Sequence, residues 1–97
     1  MTIKHYQERV AEFPTVMDPG GNPLNACLLG LISTTGRFQK LTNLDAADPQ
    51  AAGELAGEAL WLLAVACNEL GVNLESAADA HLRVLAELAK KHSSDSP

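Results

Sequence analysis

Apolar residues recur at spacings of three and four along most of this chain, and no run of β-branched residues marks a strand. The widest apolar arc lies in residues 53–71, GELAGEALWLLAVACNELG. On a helical wheel Leu55, Ala56, Ala59, Leu60, Leu62, Leu63, Ala66, Cys67 and Leu70 cover well over half the circumference. Glu54, Glu58, Asn68 and Glu69 share the remaining strip with Trp61 and Val65. A surface helix needs an apolar stripe only about 100° wide. This segment is therefore expected to be the central helix of a bundle, covered on several sides and partly by a second copy of the chain.

Three further helices follow from the same pattern. Residues 2–13 place Ile3, Tyr6, Val10 and Phe13 at helical spacing, with Thr2 as the N-cap. Residues 14–23, PTVMDPGGNP, hold three prolines and two adjacent glycines and cannot continue a helix; they read as a connector, with a lid as the functional alternative. From Leu24 to about Leu41 a second helix sets Leu24, Cys27, Leu28, Leu31, Thr35 and Phe38 on one face. Its Gly30 and Gly36 each weaken a helix by about 1 kcal/mol relative to alanine, which suggests close approach of a neighbour or ligand. Residues 42–48 form a polar linker. Asp48 followed by Pro49 starts the central helix as N-cap and first-turn proline, and Gly71 ends it in the left-handed conformation. Asn73 then caps a fourth helix from Leu74 to about Lys91. Its apolar stripe is Leu74, Ala77, Ala78, Leu82, Leu85, Leu88 and Ala89.

Composition supports this reading. The chain has 97 residues, 46% hydrophobic and 20% charged, with only 4% aromatic, which suits one small all-α domain. A single layer of short helices has little interior, so a homo-oligomeric interface is expected to supply the missing burial. The net charge of −5 argues against a nucleic-acid or membrane-surface partner. Neither a signal-peptide core nor an apolar run of the roughly 20 residues needed to span a bilayer is present, and the expectation is a cytoplasmic protein. Cys27 and Cys67 each fall on an apolar face and read as buried free thiols.

With the helices placed, the chain resembles the MazG-like family of all-α nucleotide pyrophosphohydrolases over nearly its whole length. Tyr6-Gln7-Glu8 is similar to that family's opening Tyr-Gln-Glu. Gly30-Leu31 and then Gly36 match the glycines of its GLxxExGE segment. Gly57-Glu58-Ala59-Leu60-Trp61-Leu62-Leu63-Ala64 resembles its Gly-Asp-Val-Leu-Trp-Tyr-Leu-Ala run, and Glu69-Leu70-Gly71-Val72-Asn73-Leu74-Glu75 its Glu-Leu-Gly-Ile-x-Leu-Glu turn. The resemblance implies magnesium ions held by two glutamates from the second helix and a Glu-x-x-Asp pair from the third. Those ions grip a nucleoside triphosphate while water releases pyrophosphate. Magnesium needs hard oxygen ligands, and helical spacings of three and four put carboxylates on one face.

The departures fall on those acids. Thr34 and Arg37 stand where the second helix should supply its glutamates; one is neutral and the other a permanent cation. Glu58 stands at the aspartate position, Leu55 at the expected glutamate, and Glu54 one residue off. His81 and Val84 replace the asparagine and lysine common in the fourth helix. Glu54 and Glu58 are thus the candidate magnesium ligands, against the plain reading of an exposed i,i+4 pair. Arg37 is expected either to pair with Glu54 or Glu58 across the helices or to contact a phosphate. Thr34, Trp61 and His81 are candidate nucleotide contacts, against a core or interface role for Trp61 and His81.

The expectation is therefore an all-α fold of about four helices, a single domain over residues 1–92 with a disordered tail at 93–97. The long middle pair is expected to form a four-helix bundle with its dimer mate, as a dimer or tetramer. The implied function is that of a MazG-like pyrophosphohydrolase homologue that is catalytically impaired or inactive, with nucleotide binding, regulation or assembly left to it. The alternative is an active magnesium-dependent enzyme with a rearranged site using Glu54, Glu58 and either Asp45 or Asp48.

Overall fold

The structure, a computed structural model, describes residues 1–13, 22–42 and 48–94, and within them the fold is all-α. Four helices follow one another: α1 (Ile3–Val10), α2 (Pro23–Thr42), α3 (Pro49–Leu70) and α4 (Leu74–Ser94). Most of the expected connector at 14–23, the linker core at 43–47 with Asp45, and the end of the tail at 95–97 lie outside the described residues.

Local chemistry sets the helix ends. The Thr2 hydroxyl accepts from the His5 N–H at 3.0 Å, and Asp48 Oδ1 from the Gln50 N–H at 3.0 Å with Pro49 in the first turn. Gly71 closes α3 at φ 69°, and the Val72 N–H returns to the Cys67 carbonyl at 2.9 Å. Asn73 Oδ1 then accepts from the Ser76 N–H at 3.0 Å and opens α4.

Three boundaries differ from expectation. Pro23 belongs to α2, because Asn22 caps it by accepting from the Leu24 N–H at 3.0 Å and leaves the proline where its missing donor costs nothing. α1 stops at Val10, since Glu12 and Phe13 bond back only three residues. Helix α4 runs on through Ser94, so the first two residues of the expected tail are helical.

The long helices α2 and α3 pack antiparallel. Gly30 of α2 lies against Leu62 of α3, while Arg37, two turns later, meets Glu58, one turn earlier. A Cβ at Gly30 would lie 3.1 Å from Leu62 Cδ1, so this glycine permits the close approach; Gly36 has nothing within 4 Å of such an atom. The core is small. Val10, Cys27, Ala64, Val65 and Ala66 form it, with Tyr6, Leu24, Trp61 and Leu74 packed around them. Burial pushes the Cys27 thiol up from its ordinary pKa, and the nearby Glu69 carboxylate adds to that, so the thiol stays neutral.

Burial departs from the helical wheels. Val65, placed on the polar strip, is buried, whereas Leu60, Leu63 and Leu70 of α3 are exposed. On α2, Leu28, Thr35 and Phe38 are exposed and Thr34 is buried. On α4, Leu82, Leu85 and Leu88 are all exposed. One chain covers only one side of each apolar arc. The radius of gyration is accordingly 16.7 Å, against about 12.5 Å for a compact chain of this length.

Helix α4 leaves the hairpin sharply, bent 107° from α3, and none of the described helices is by itself long and apolar enough to cross a membrane. Gln7 of α1 fixes the corner. Its Nε2 donates to Asn68 Oδ1 at 2.9 Å and to the Val72 carbonyl at 2.7 Å, and its Oε1 accepts from the Leu74 N–H at 2.8 Å. Asn68 Nδ2 donates to the Gln7 carbonyl at 3.3 Å.

Candidate functional site

The seam between α2 and α3 brings together three of the residues singled out from sequence. Thr34, one turn after Gly30, is 1% exposed and donates its hydroxyl to the Gly30 carbonyl at 2.8 Å. The same oxygen accepts from Arg37 Nη2 at 3.3 Å. That nitrogen also lies 3.0 Å from both carboxylate oxygens of Glu58 across the seam. Arg37 is therefore tied down by one nitrogen rather than by a two-pronged fork. The side chains of Arg37 and Glu58 are 50% and 38% exposed, so the pair contributes no more than about 1 kcal/mol.

The other candidates are scattered. Glu54 is exposed one turn from Glu58 and forms no ion pair with a described residue. Trp61 is half-buried and packs against the core, next to Val65 on the side the wheel had left polar. His81 is exposed on α4, whose packing runs to α1 and not to the α2–α3 seam.

The donor set fits a magnesium ion poorly. Glu58 already faces a fixed cation, the Thr34 hydroxyl is neutral and engaged, and Asp48 is committed to capping α3. Among the described residues no three His, Cys, Asp or Glu side chains converge as a metal site. A divalent ion bound to Glu58 would sit beside the fixed positive charge of Arg37, which repels it. What the seam does offer is a half-exposed guanidinium, which can exchange its carboxylate for a phosphate oxygen.

Gln7 is the functional-looking residue that the wheels passed over. It is buried, and it also borders an open cleft of about 460 Å³ that Lys4, Ala11, Asn68 and Val72 help to line. The available signal was an amide between Tyr6 and Val10 on the apolar side of α1. All its polar atoms are used within the chain, which makes it a structural latch.

No protein-family model matches the chain, and no curated protein and no solved structure matches it significantly.

Proposed function

We propose that this chain is a MazG-like helical protein in which the Arg37–Glu58 pair takes the electrostatic place of the family's magnesium ions. Pyrophosphohydrolysis is then impaired or lost, and the chain serves as a self-assembling module that keeps a phosphate contact at Arg37. The observation that carries this reading is the single Arg37 nitrogen 3.0 Å from both Glu58 oxygens, above the buried Thr34.

Assembly is supported by apolar side chains that the hairpin leaves uncovered. Leu28, Leu29 and Ile32 of α2 and Leu60 and Leu63 of α3 are exposed in the single chain. Covering each large aliphatic side chain contributes about 1.5–3 kcal/mol at full burial. A second copy that covers part of this apolar surface would complete a four-helix bundle.

The test is pyrophosphate release from a panel of nucleoside triphosphates with magnesium, alongside their effect on melting temperature with and without the metal. No release, with stabilisation by triphosphate in the absence of magnesium and its loss in Arg37→Gln, is the expected result. Robust magnesium-dependent release overturns the proposal. It would favour the rearranged enzyme instead, for which the exposed Glu54 one turn from Glu58 is the supporting observation, and Glu58→Gln would then abolish turnover.

A further inference from the structure

The N-termini of α1 and α4 meet at the corner, and each helix supplies the other with a hydrogen-bond acceptor. A helix leaves its first four N–H groups without partners of its own. In α1 the Thr2 hydroxyl accepts from the His5 N–H at 3.0 Å, and Glu75 Oε1 of α4 accepts from the Lys4 N–H at 3.4 Å. In α4 Asn73 Oδ1 accepts from the Ser76 N–H at 3.0 Å, and Gln7 Oε1 of α1 accepts from the Leu74 N–H at 2.8 Å. Each N-terminus thus carries one cap of its own and one supplied by the other helix. The Glu75 carboxylate also lies at the positive ends of both helices, which favours its charge.

The two crossed caps depend on each other. Gln7 reaches Leu74 from a docked, helical α1, and Glu75 reaches Lys4 from an ordered first turn of α4. Helix α1 has 8 residues, fewer than the roughly 12–15 below which an isolated helix is marginal in water. Its docking and its helicity are therefore one event. Val10 and Tyr6 dock it in the core with Cys27, Ala64 and Val65, and the Gln7 amide ties it to Asn68 and to the Val72 carbonyl. Helices α2 and α3, of 20 and 22 residues, pack along each other without it. An opening short of global unfolding is thus available at this corner. Cys27, enclosed in the same small core, is the group such an opening uncovers. The joint beside it is Gly71, the only described residue at positive φ, followed by the exposed Val72 and Asn73.

We infer that α1 is a releasable strap. It opens together with the first turn of α4 as one unit, in a step short of global unfolding, and the open state exposes Cys27 and frees α4 to turn about residues 71–73. The strap does not involve the Arg37–Glu58 pair, so it stands or falls apart from the phosphate reading.

The experiment is amide hydrogen exchange on the whole chain, followed by NMR through a series of low denaturant concentrations. Labelling of Cys27 by a water-soluble disulfide reagent, in Cys67→Ala so that one thiol remains, is the second readout. The amides of Arg9 and Leu74 are expected to share one opening equilibrium and one denaturant slope, with less protection and a smaller slope than Ala66 in the core of α3. Val10→Ala changes only the core side of α1, yet it should speed exchange at Leu74 by the same factor as at Arg9, about five- to hundredfold. Cys27 labelling should quicken by that factor too. Glu75→Ala leaves the core intact and should speed exchange at Arg9 and labelling of Cys27 about two- to tenfold. Exchange at Leu74 that is insensitive to Val10→Ala means that α4 frays alone and overturns the inference. Equal protection at Arg9, Leu74 and Ala66, with Cys27 labelled only as fast as the whole chain unfolds, overturns it as well.

Discussion

The α2–α3 hairpin and helix α4 are built from similar material and end in different states. Both are rich in alanine and leucine, and both α3 and α4 open on well-formed caps, at Asp48 and Asn73. Yet the second half of α3 supplies most of the core, from Leu62 to Cys67, while the described residues of α4 from Asp79 to His92 are all exposed. Caps and propensity determine that a helix forms. Only a facing surface determines whether its apolar side is buried, and α2 has one to offer where Gly30 lets Leu62 in. The hairpin is therefore a finished unit on one side, and α4 an unfinished one.

Substitutions can break this contrast, beginning with the largest effect. Leu62→Ala empties the contact at Gly30 and is expected to cost about 2–5 kcal/mol in denaturant unfolding. A cost below about 1 kcal/mol would mean the hairpin is loosely packed and the contrast weak. Next comes Gln7→Leu, which deprives the Leu74 N–H, the Val72 carbonyl and Asn68 of their partner; about 1–3 kcal/mol is expected. Arg37→Gln should change stability by no more than about 1 kcal/mol, because its pair with Glu58 is half in solvent. Smallest of all, Leu88→Ala should shift the unfolding of dilute, unassociated chain by less than about 0.5 kcal/mol, since the side chain has almost nothing to lose there.

The same contrast separates what could be read from the residues from what could not. Thr2, Asp48, Gly71 and Asn73 announce helix ends through groups that act within three or four residues, and the structure places each where its side chain or backbone conformation leads. Helical wheels assigned Leu60, Leu63 and Leu70 to the interior and Val65 to the polar strip. The structure buries Val65 and exposes the three leucines, because the wheel reports how wide an apolar arc is, not which part of it a neighbour covers. At the seam, Thr34, Arg37 and Glu58 are brought together on paper by the resemblance, which assigns all three positions to one cluster of acids, and the structure sets them side by side. Trp61 and His81 could not be placed in this way, since the first depends on α1 and the core and the second on the direction α4 takes.

That direction depends on the far end of the chain. Gln7 is separated by 61 residues from Asn68, 65 from Val72 and 67 from Leu74, whereas the seam pair Arg37 and Glu58 is separated by 21. Closing a long loop takes more chain entropy than closing a short one, so the hairpin can assemble before the latch engages. Until then Gly71, Val72 and Asn73 act as a joint, and α4 has its helix without its bearing. The N-terminal helix is thus an orienting device for the C-terminal one. Removing it should set α4 swinging and also open the core that Val10 and Tyr6 help to form.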